Sequence, residues 1–426
     1  MSDTKKSTKY QAVNGLEHEV VDGGVRAWTT LFGAWLVLFA TVGYVYSFGV
    51  YQVSTKPLKD FYTRFYLSEH SPSKIAWIGS LQIMMPFACG IVSGKLFDAG
   101  YFHALQIAGA VIFSASLFLL SLAKPQAYFE IFLSQGVGMG LGMGFAFVPS
   151  LSITGHYFKR RKAFATGIAM TGISLGAVVF PIMINNLIGE IGFAKTVRAT
   201  GYIVLGFLII GNCLMRTAYN KHADIPKLDI KSFFTDPPYM LTVLGGLISL
   251  FGLYFPLFYL QLYSVVHGID PKLAFYSIAI LNASSTVGRI MINFTVDIYG
   301  AFNVLIPTSL ITGASIFAVF AVKSSGSLIA VSIFYGFFSG AWLSVAVASL
   351  ASLARHPNEV GARTGLALAM ASFGLLGAAP VQGSLLTSEF LWSKPMIFSG
   401  VCMATPTLLF IGTRTLLAKE RSTSKV

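Results

Sequence analysis

Residues 163–176 read Ala163-Phe-Ala-Thr-Gly167-Ile-Ala-Met-Thr-Gly-Ile-Ser-Leu-Gly176, with Pro181 beyond, and residues 362–374 read Ala362-Arg-Thr-Gly365-Leu-Ala-Leu-Ala-Met-Ala-Ser-Phe-Gly374, with Pro380 beyond. Gly167 pairs with Gly365 and Gly176 with Gly374, both at an offset of 198 residues. A second pair of stretches, Gly94-Lys-Leu-Phe-Asp98-Ala-Gly100 and Asn293-Phe-Thr-Val-Asp297-Ile-Tyr-Gly300, repeats at an offset of 199 between the two Asp. Two unrelated features sharing nearly one offset argue for two halves in parallel orientation. Coincidence of glycines in apolar sequence is the alternative.

The sequence around these stretches sets what each half contains. A helix needs about 20 apolar residues to cross the roughly 30 Å hydrocarbon core of a bilayer. Twelve such runs occur, near residues 27–51, 75–97, 103–123, 128–150, 163–187, 199–217, 239–263, 273–294, 303–322, 327–352, 363–386 and 395–416. The expected fold is therefore an all-α membrane protein of twelve transmembrane helices. Residues 27–217 and 239–416 form its two six-helix bundles, and 218–238 is a polar linker too short for a core of its own. Residues 1–26 and 417–426 are expected as cytosolic tails. The first 25 residues lack the apolar core and small-residue cleavage site of a signal peptide, so none is expected to be removed.

Composition excludes the main rivals. Of 426 residues, 54% are hydrophobic and 11% charged, against roughly 25% charged in soluble domains. A soluble enzyme would have too little polar surface to cover itself. The net charge of +13 lies in short loops between apolar runs rather than in one patch, which argues against a nucleic-acid partner. Cys89, Cys213 and Cys402 sit inside apolar runs without metal-ligand spacing, so no disulfide framework and no metal is expected. The histidines at 18, 70, 103, 156, 222, 267 and 356 fall in tails, loops or span ends, so neither a histidine metal cage nor an intramembrane proton relay is supported. No cofactor is implied: the glycines at 136, 138, 140, 142 and 144 satisfy no GxGxxG register and no Walker lysine follows. They read instead as small residues for close helix approach, as do Gly172 and Gly176 in their GxxxG spacing. Lys and Arg set the orientation. With both termini inside, nineteen of the thirty fall in cytosolic segments, ten fall in outer loops, and Arg289 alone lies within a span.

Twelve spans as six plus six, with a GxLxD-like loop after the second, resemble the major facilitator superfamily. More narrowly, Asp22-Gly-Gly-Val-Arg-Ala-Trp28 before the first span and Tyr157-Phe-Lys-Arg-Arg-Lys-Ala-Phe-Ala-Thr-Gly167 before the fifth resemble two signatures of its monocarboxylate porter family. The fungal branch of that family, which the chain is most similar to, includes monocarboxylate permease homologues, a riboflavin transporter and exporters of secondary metabolites. The resemblance implies alternating access to a site between the halves. Animal members use a Lys in helix one and an Asp one turn before an Arg in helix eight for proton-coupled transport. Here the first span has no Lys, and Ser285 stands four residues before Arg289.

An ionisable residue within a span is costly and a functional candidate by default. Arg289 can hold a carboxylate in bidentate geometry; snorkelling to the interface or an internal ion pair is its structural alternative. Asn282, Ser285 and Arg289 follow at spacings of three and four and share one helix face. Pro256 suggests a kink in the seventh span. Tyr46, Tyr254 and Trp342 are aromatic candidates for substrate contact, because the superfamily lines its cavity with helices one, seven and ten. Gating candidates are Asp98 and Asp297, each expected to reach the opposite half, with Gly94 in the same loop motif and Arg363 and the Arg161–Lys162 pair as basic neighbours.

The reading is a secondary transporter moving a small organic acid of monocarboxylate type, with proton symport and a monomer expected. Its alternative is an exporter of a larger secondary metabolite. Drug antiporters of the superfamily carry a Gly-Pro motif in helix five where this chain has Gly176-Ala177. A membrane-embedded enzyme would need a His/Asp or Ser/His/Asp set near the membrane face, and none is visible; a non-transporting sensor usually adds long cytosolic extensions. The plasma membrane is the expected location, with the vacuolar membrane as the alternative.

Overall fold

The computed structural model describes residues 22–47, 66–70, 72–218, 230–356, 359–386 and 391–426. Residues 1–21, 48–51 at the end of the first expected span, 219–229 of the linker, and with them His18 and His222, lie outside the described residues. Every regular element among the described residues is helical. They run α1 (Val25–Val45), α2 (Trp77–Asp98), α3 (Phe102–Leu120) and α4 (Tyr128–His156), and then one helix of 53 residues, Lys162–Leu214.

At 1.5 Å per residue that helix would be about 80 Å long, enough to cross a bilayer twice. It does so by bending at Gly192, whose φ of +77° an L side chain rarely adopts. The bend divides it into α5 (162–191) and α6 (193–214). After the linker come α7 (Pro237–Val266), α8 (Pro271–Tyr299), α9 (Ala301–Ala321), α10 (Ser325–Ser352), α11 (Val360–Leu386) and α12 (Ser393–Arg421). All but α8 are long and apolar enough to span. α8 has the length, with 29 residues, and is less apolar because its buried face carries Asn282, Ser285, Arg289 and Asn293.

Local chemistry sets the ends. Asp270 caps α8 by accepting from the backbone of Lys272 and Leu273, and Ser324 with Ser327 forms a capping box on α10. In α7 Pro256 cannot donate to Gly252, and the helix breaks at Tyr254. α12 continues five residues past the expected tail boundary to Arg421.

Inside lipid, helices are held by close packing rather than by the hydrophobic effect, so small residues decide which surfaces meet. The glycines of α4 face α2 and α3: a Cβ on Gly142 would lie 2.6 Å from the Phe113 nitrogen. Gly176 meets Gly43 of α1, where a Cβ on Gly43 would lie 2.7 Å from the Gly176 Cα. Two seams join the first six helices to the last six. α2 lies on α11, with a would-be Cβ of Gly90 at 2.8 Å from the Gly365 carbonyl. α5 lies on α8, with that of Gly167 at 2.6 Å from the Arg289 carbonyl. One repeated pair, Gly167 and Gly365, thus stands where the two halves face each other, while Gly176 and Gly374 pack within their own halves on α1 and α7.

Candidate functional site

The polar stripe of α8 is turned inward: Asn282, Ser285, Arg289 and Asn293 are all buried. Arg289 is 3% exposed, so its guanidinium does not snorkel to the interface. Its Nε donates to Ser174 Oγ of α5 at 3.0 Å and to Ser285 Oγ at 3.3 Å, and the two serines bond each other at 3.0 Å. Its Nη1 is buried without a hydrogen-bond partner, and no carboxylate among the described residues pairs with it. One turn on, Asn293 Nδ2 donates to the Arg289 carbonyl at 2.7 Å and to Ser344 Oγ of α10 at 2.6 Å, bracing this turn against the neighbouring helix.

Arg289 lines a cavity of about 40 Å³ together with Asn282, Ser285, Tyr46, Tyr254 and Tyr335. The break at Tyr254 lets the Leu253 carbonyl accept from the Tyr335 hydroxyl, which ties α7 to α10 over the cavity. An apolar void of about 20 Å³ adjoins it, between Tyr46, Tyr254, Phe87 and Phe147. Small-molecule sites run to roughly 300–1,000 Å³, so the centre is contracted in this state. The arrangement offers one unneutralised cation and three phenol rings to whatever enters.

Five of the six residues expected at the site meet there. Trp342 is the exception: it is 1% exposed, packed in the core of α10, and absent from the cavity wall, with its indole Nε1 unpaired. Ser174, Tyr335 and Ser339 line or support the site and were not expected. Ser174 had a signal, because it lies seven residues after Gly167 and so on the same face of α5, the face that meets α8.

At the end of the molecule that carries the basic loops, the repeated Asp residues do the same thing twice. Asp98 accepts from the backbone N–H of Gly361 at 3.1 Å and of Ala362 at 2.7 Å, the start of α11. Asp297 accepts from Ala163 at 3.0 Å and Phe164 at 2.9 Å, the start of α5. Each carboxylate therefore bridges to the opposite half and meets the positive end of a helix. Gly94 permits the first bridge, since a Cβ there would strike the Gly361 carbonyl.

The basic neighbours differ from expectation. Arg363 does not serve Asp98; it is 2% exposed and pairs within its own half, with Asp236 at 2.7 Å and Glu359 at 3.2 Å, under the ring of Phe233. A buried guanidinium needs nearby carboxylates, and those on the α7 start and the loop before α11 are within reach. Arg161 is exposed and forms no ion pair among the described residues. The cations acting on the two bridging carboxylates are Lys162 for Asp98 and Lys425 for Asp297. Asp22 of the Asp-Gly-Gly stretch grips the same basic run, accepting from the backbone of Lys159 and, at 2.7 Å, of Arg160.

Comparison with known proteins matches the family model of the Major Facilitator Superfamily to residues 27–310. The chain belongs to the Major Facilitator Superfamily. Among superfamily members it is 36% identical over 97% of its length to the aspyridones efflux protein of Emericella nidulans, covering 84% of that protein. It is 33% identical to the fujikurins efflux protein of Gibberella fujikuroi, over 94% of this chain and 85% of that one. The fold also matches a bacterial homologue of the iron transporter ferroportin in an outward-facing state (TM-score 0.68, 12% identity, 92% and 99% of the two chains). A human organic anion transporter matches with a TM-score of 0.67 at 13% identity, over 93% and 100%. The chain is thus a multi-pass membrane transporter of this superfamily and not an enzyme.

Proposed function

We propose that this transporter exports a secondary metabolite bearing an acidic group, and that Arg289 receives that group between the two halves. The observation that carries the proposal is the buried Arg289 Nη1 left without an acceptor beside a cavity whose wall holds no carboxylate. A buried, unsatisfied charged donor costs about 1–3 kcal/mol or more, and an anionic cargo would supply the missing acceptor. The names of the relatives favour export of a metabolite over movement of a small monocarboxylate. The Asp-Gly-Gly and Tyr-Phe-basic stretches support kinship with monocarboxylate porters, whose cargo shares the acidic group. Ser285 in place of an Asp, and the lack of Lys in α1, leave proton symport through those positions outside this proposal.

In this account residues 27–217 and 239–416 rock about the site as two bundles joined by the linker 218–238, with tails 1–26 and 417–426 on the cytosolic side. A monomer in the plasma membrane is the simplest setting. The Asp98 and Asp297 bridges exist only while the basic, cytosolic end is closed, so they differ between the two access states and bias their balance. Opening that end would enlarge the contracted centre and admit the cargo.

The test is flux in reconstituted vesicles of an acidic metabolite and of its methyl ester, with and without a pH gradient. Selective transport of the acid supports the proposal. Equal flux of both forms would favour a neutral metabolite held by the phenol rings of Tyr46, Tyr254 and Tyr335.

A further inference from the structure

Away from the central site, a groove of about 710 Å³ runs over the outer surface of α8, α9 and α10, within the size range of small-molecule sites. Its floor is apolar, with Ile292, Pro307, Ile311 and Phe338. One end is polar and cationic: Arg414 of α12 and Lys425, which follows α12, stand there beside Asn303. Asn303 fixes this end. Its Oδ1 accepts from Arg414 Nε at 2.8 Å, and its Nδ2 donates to the Ser424 carbonyl at 2.7 Å. Lys425 Nζ donates to the Asp297 carbonyl at 2.8 Å. Neither cation forms a contact ion pair with a carboxylate among the described residues, and Lys425 acts on the Asp297 carboxylate from beyond that distance.

In a membrane transporter such a surface faces lipid, and two cations without a direct ion pair at one end of an apolar trough select among lipids by charge. We propose that the groove binds one anionic glycerophospholipid, with its phosphate at Arg414 and Lys425 and an acyl chain along the floor. The two cations favour an anionic headgroup over a zwitterionic one, whose choline offsets the charge of its phosphate. Through Lys425 the bound lipid adjoins the Asp297 bridge, so its occupancy is in contact with the closed end of the transporter. This inference is independent of the cargo.

The test is native mass spectrometry of the full chain purified in detergent, titrated with phosphatidylinositol and with phosphatidylcholine of the same chains. Two cations at about 1 kcal/mol each give an expected preference for phosphatidylinositol of about 30-fold. Lys425→Gln and Arg414→Gln should each lower it about fivefold, and Lys419→Gln, an exposed cation elsewhere on α12, should leave it unchanged. Lys425 is exposed and its replacement does not disturb packing, so that variant decides the matter even if Arg414→Gln folds poorly. Glycerophosphoinositol, the headgroup without chains, should not displace the lipid. Equal retention of both lipids, an undiminished preference in Lys425→Gln, displacement by the headgroup alone, or a dimer that excludes lipid from this face would overturn the proposal.

Discussion

Asp98→Asn should loosen the closed end of the transporter, and by an amount that its bonds set. The carboxylate accepts two backbone N–H bonds across the seam. Asn keeps one acceptor oxygen and turns an NH₂ group toward the second N–H, so one charge-assisted bond is lost and the other becomes neutral. Net values are about 1.5–3 kcal/mol for a bond to a charged group and about 0.5–1.5 for a neutral one. For a partly exposed site this comes to about 1–2 kcal/mol, a factor of about 5–30 in the closed-to-open ratio. The assay is hydrogen–deuterium exchange of the purified transporter, reading peptides that contain Gly361–Ala362 and Ala163–Phe164. Exchange at 361–362 rises in the variant simply because its acceptor is gone. The decisive readout is across the molecule: if both bridges close one end, exchange at 163–164 must also rise, although Asp297 is intact. Asp297→Asn should give the converse. An unchanged rate at the distant pair in both variants would refute the shared closure.

Further outcomes follow from the same contacts. Arg363→Met strands the carboxylate of Glu359 without a counter-charge and leaves the nearly buried Asp236 with only the exposed Arg355. It should cost about 3–5 kcal/mol, seen as a large fall in melting temperature that Arg363→Lys only partly restores. Gly167→Leu forces side-chain carbon into the space of the Arg289 carbonyl and Asn293; a thermal-shift assay should show about 1–3 kcal/mol of destabilisation from overpacking. Trp342→Phe removes an indole N–H that has no partner and does not touch the cavity, so flux should stay within twofold of wild type in the vesicle assay.

Much of this architecture was legible in the sequence because membrane helices announce themselves by length and apolarity. The offset of 198 argued for two halves without naming their seams, and of the glycines it pairs, Gly167 and Gly365 lie where a helix of one half meets the other. Asp98 and Asp297 were readable for the same reason: an acid at the end of a repeated helix faces a repeated partner. Their neighbours were not, because proximity in sequence to a helix start does not say which way a long side chain turns. Arg363 turns into its own half toward Asp236, 127 residues earlier, a pairing that only the packing of α7 on α11 creates. Trp342 failed for a related reason. Membership of a cavity-lining helix fixes the helix and not the face, and its neighbours Ser339 and Leu343 hold the cavity side. Ser174 was hidden behind the glycines that flank it, although its spacing from Gly167 marked its face.

The central claim is that Arg289 meets an acidic group of the cargo, and the most direct measurement is the ratio of acid to methyl-ester flux in Arg289→Gln against wild type, both reconstituted at equal density. Loss of a charge-assisted bond of about 1.5–3 kcal/mol predicts a fall in acid flux of about 10- to 150-fold, with the ester flux little changed. Acid flux at the wild-type level, or an equal fall for acid and ester, would contradict the account.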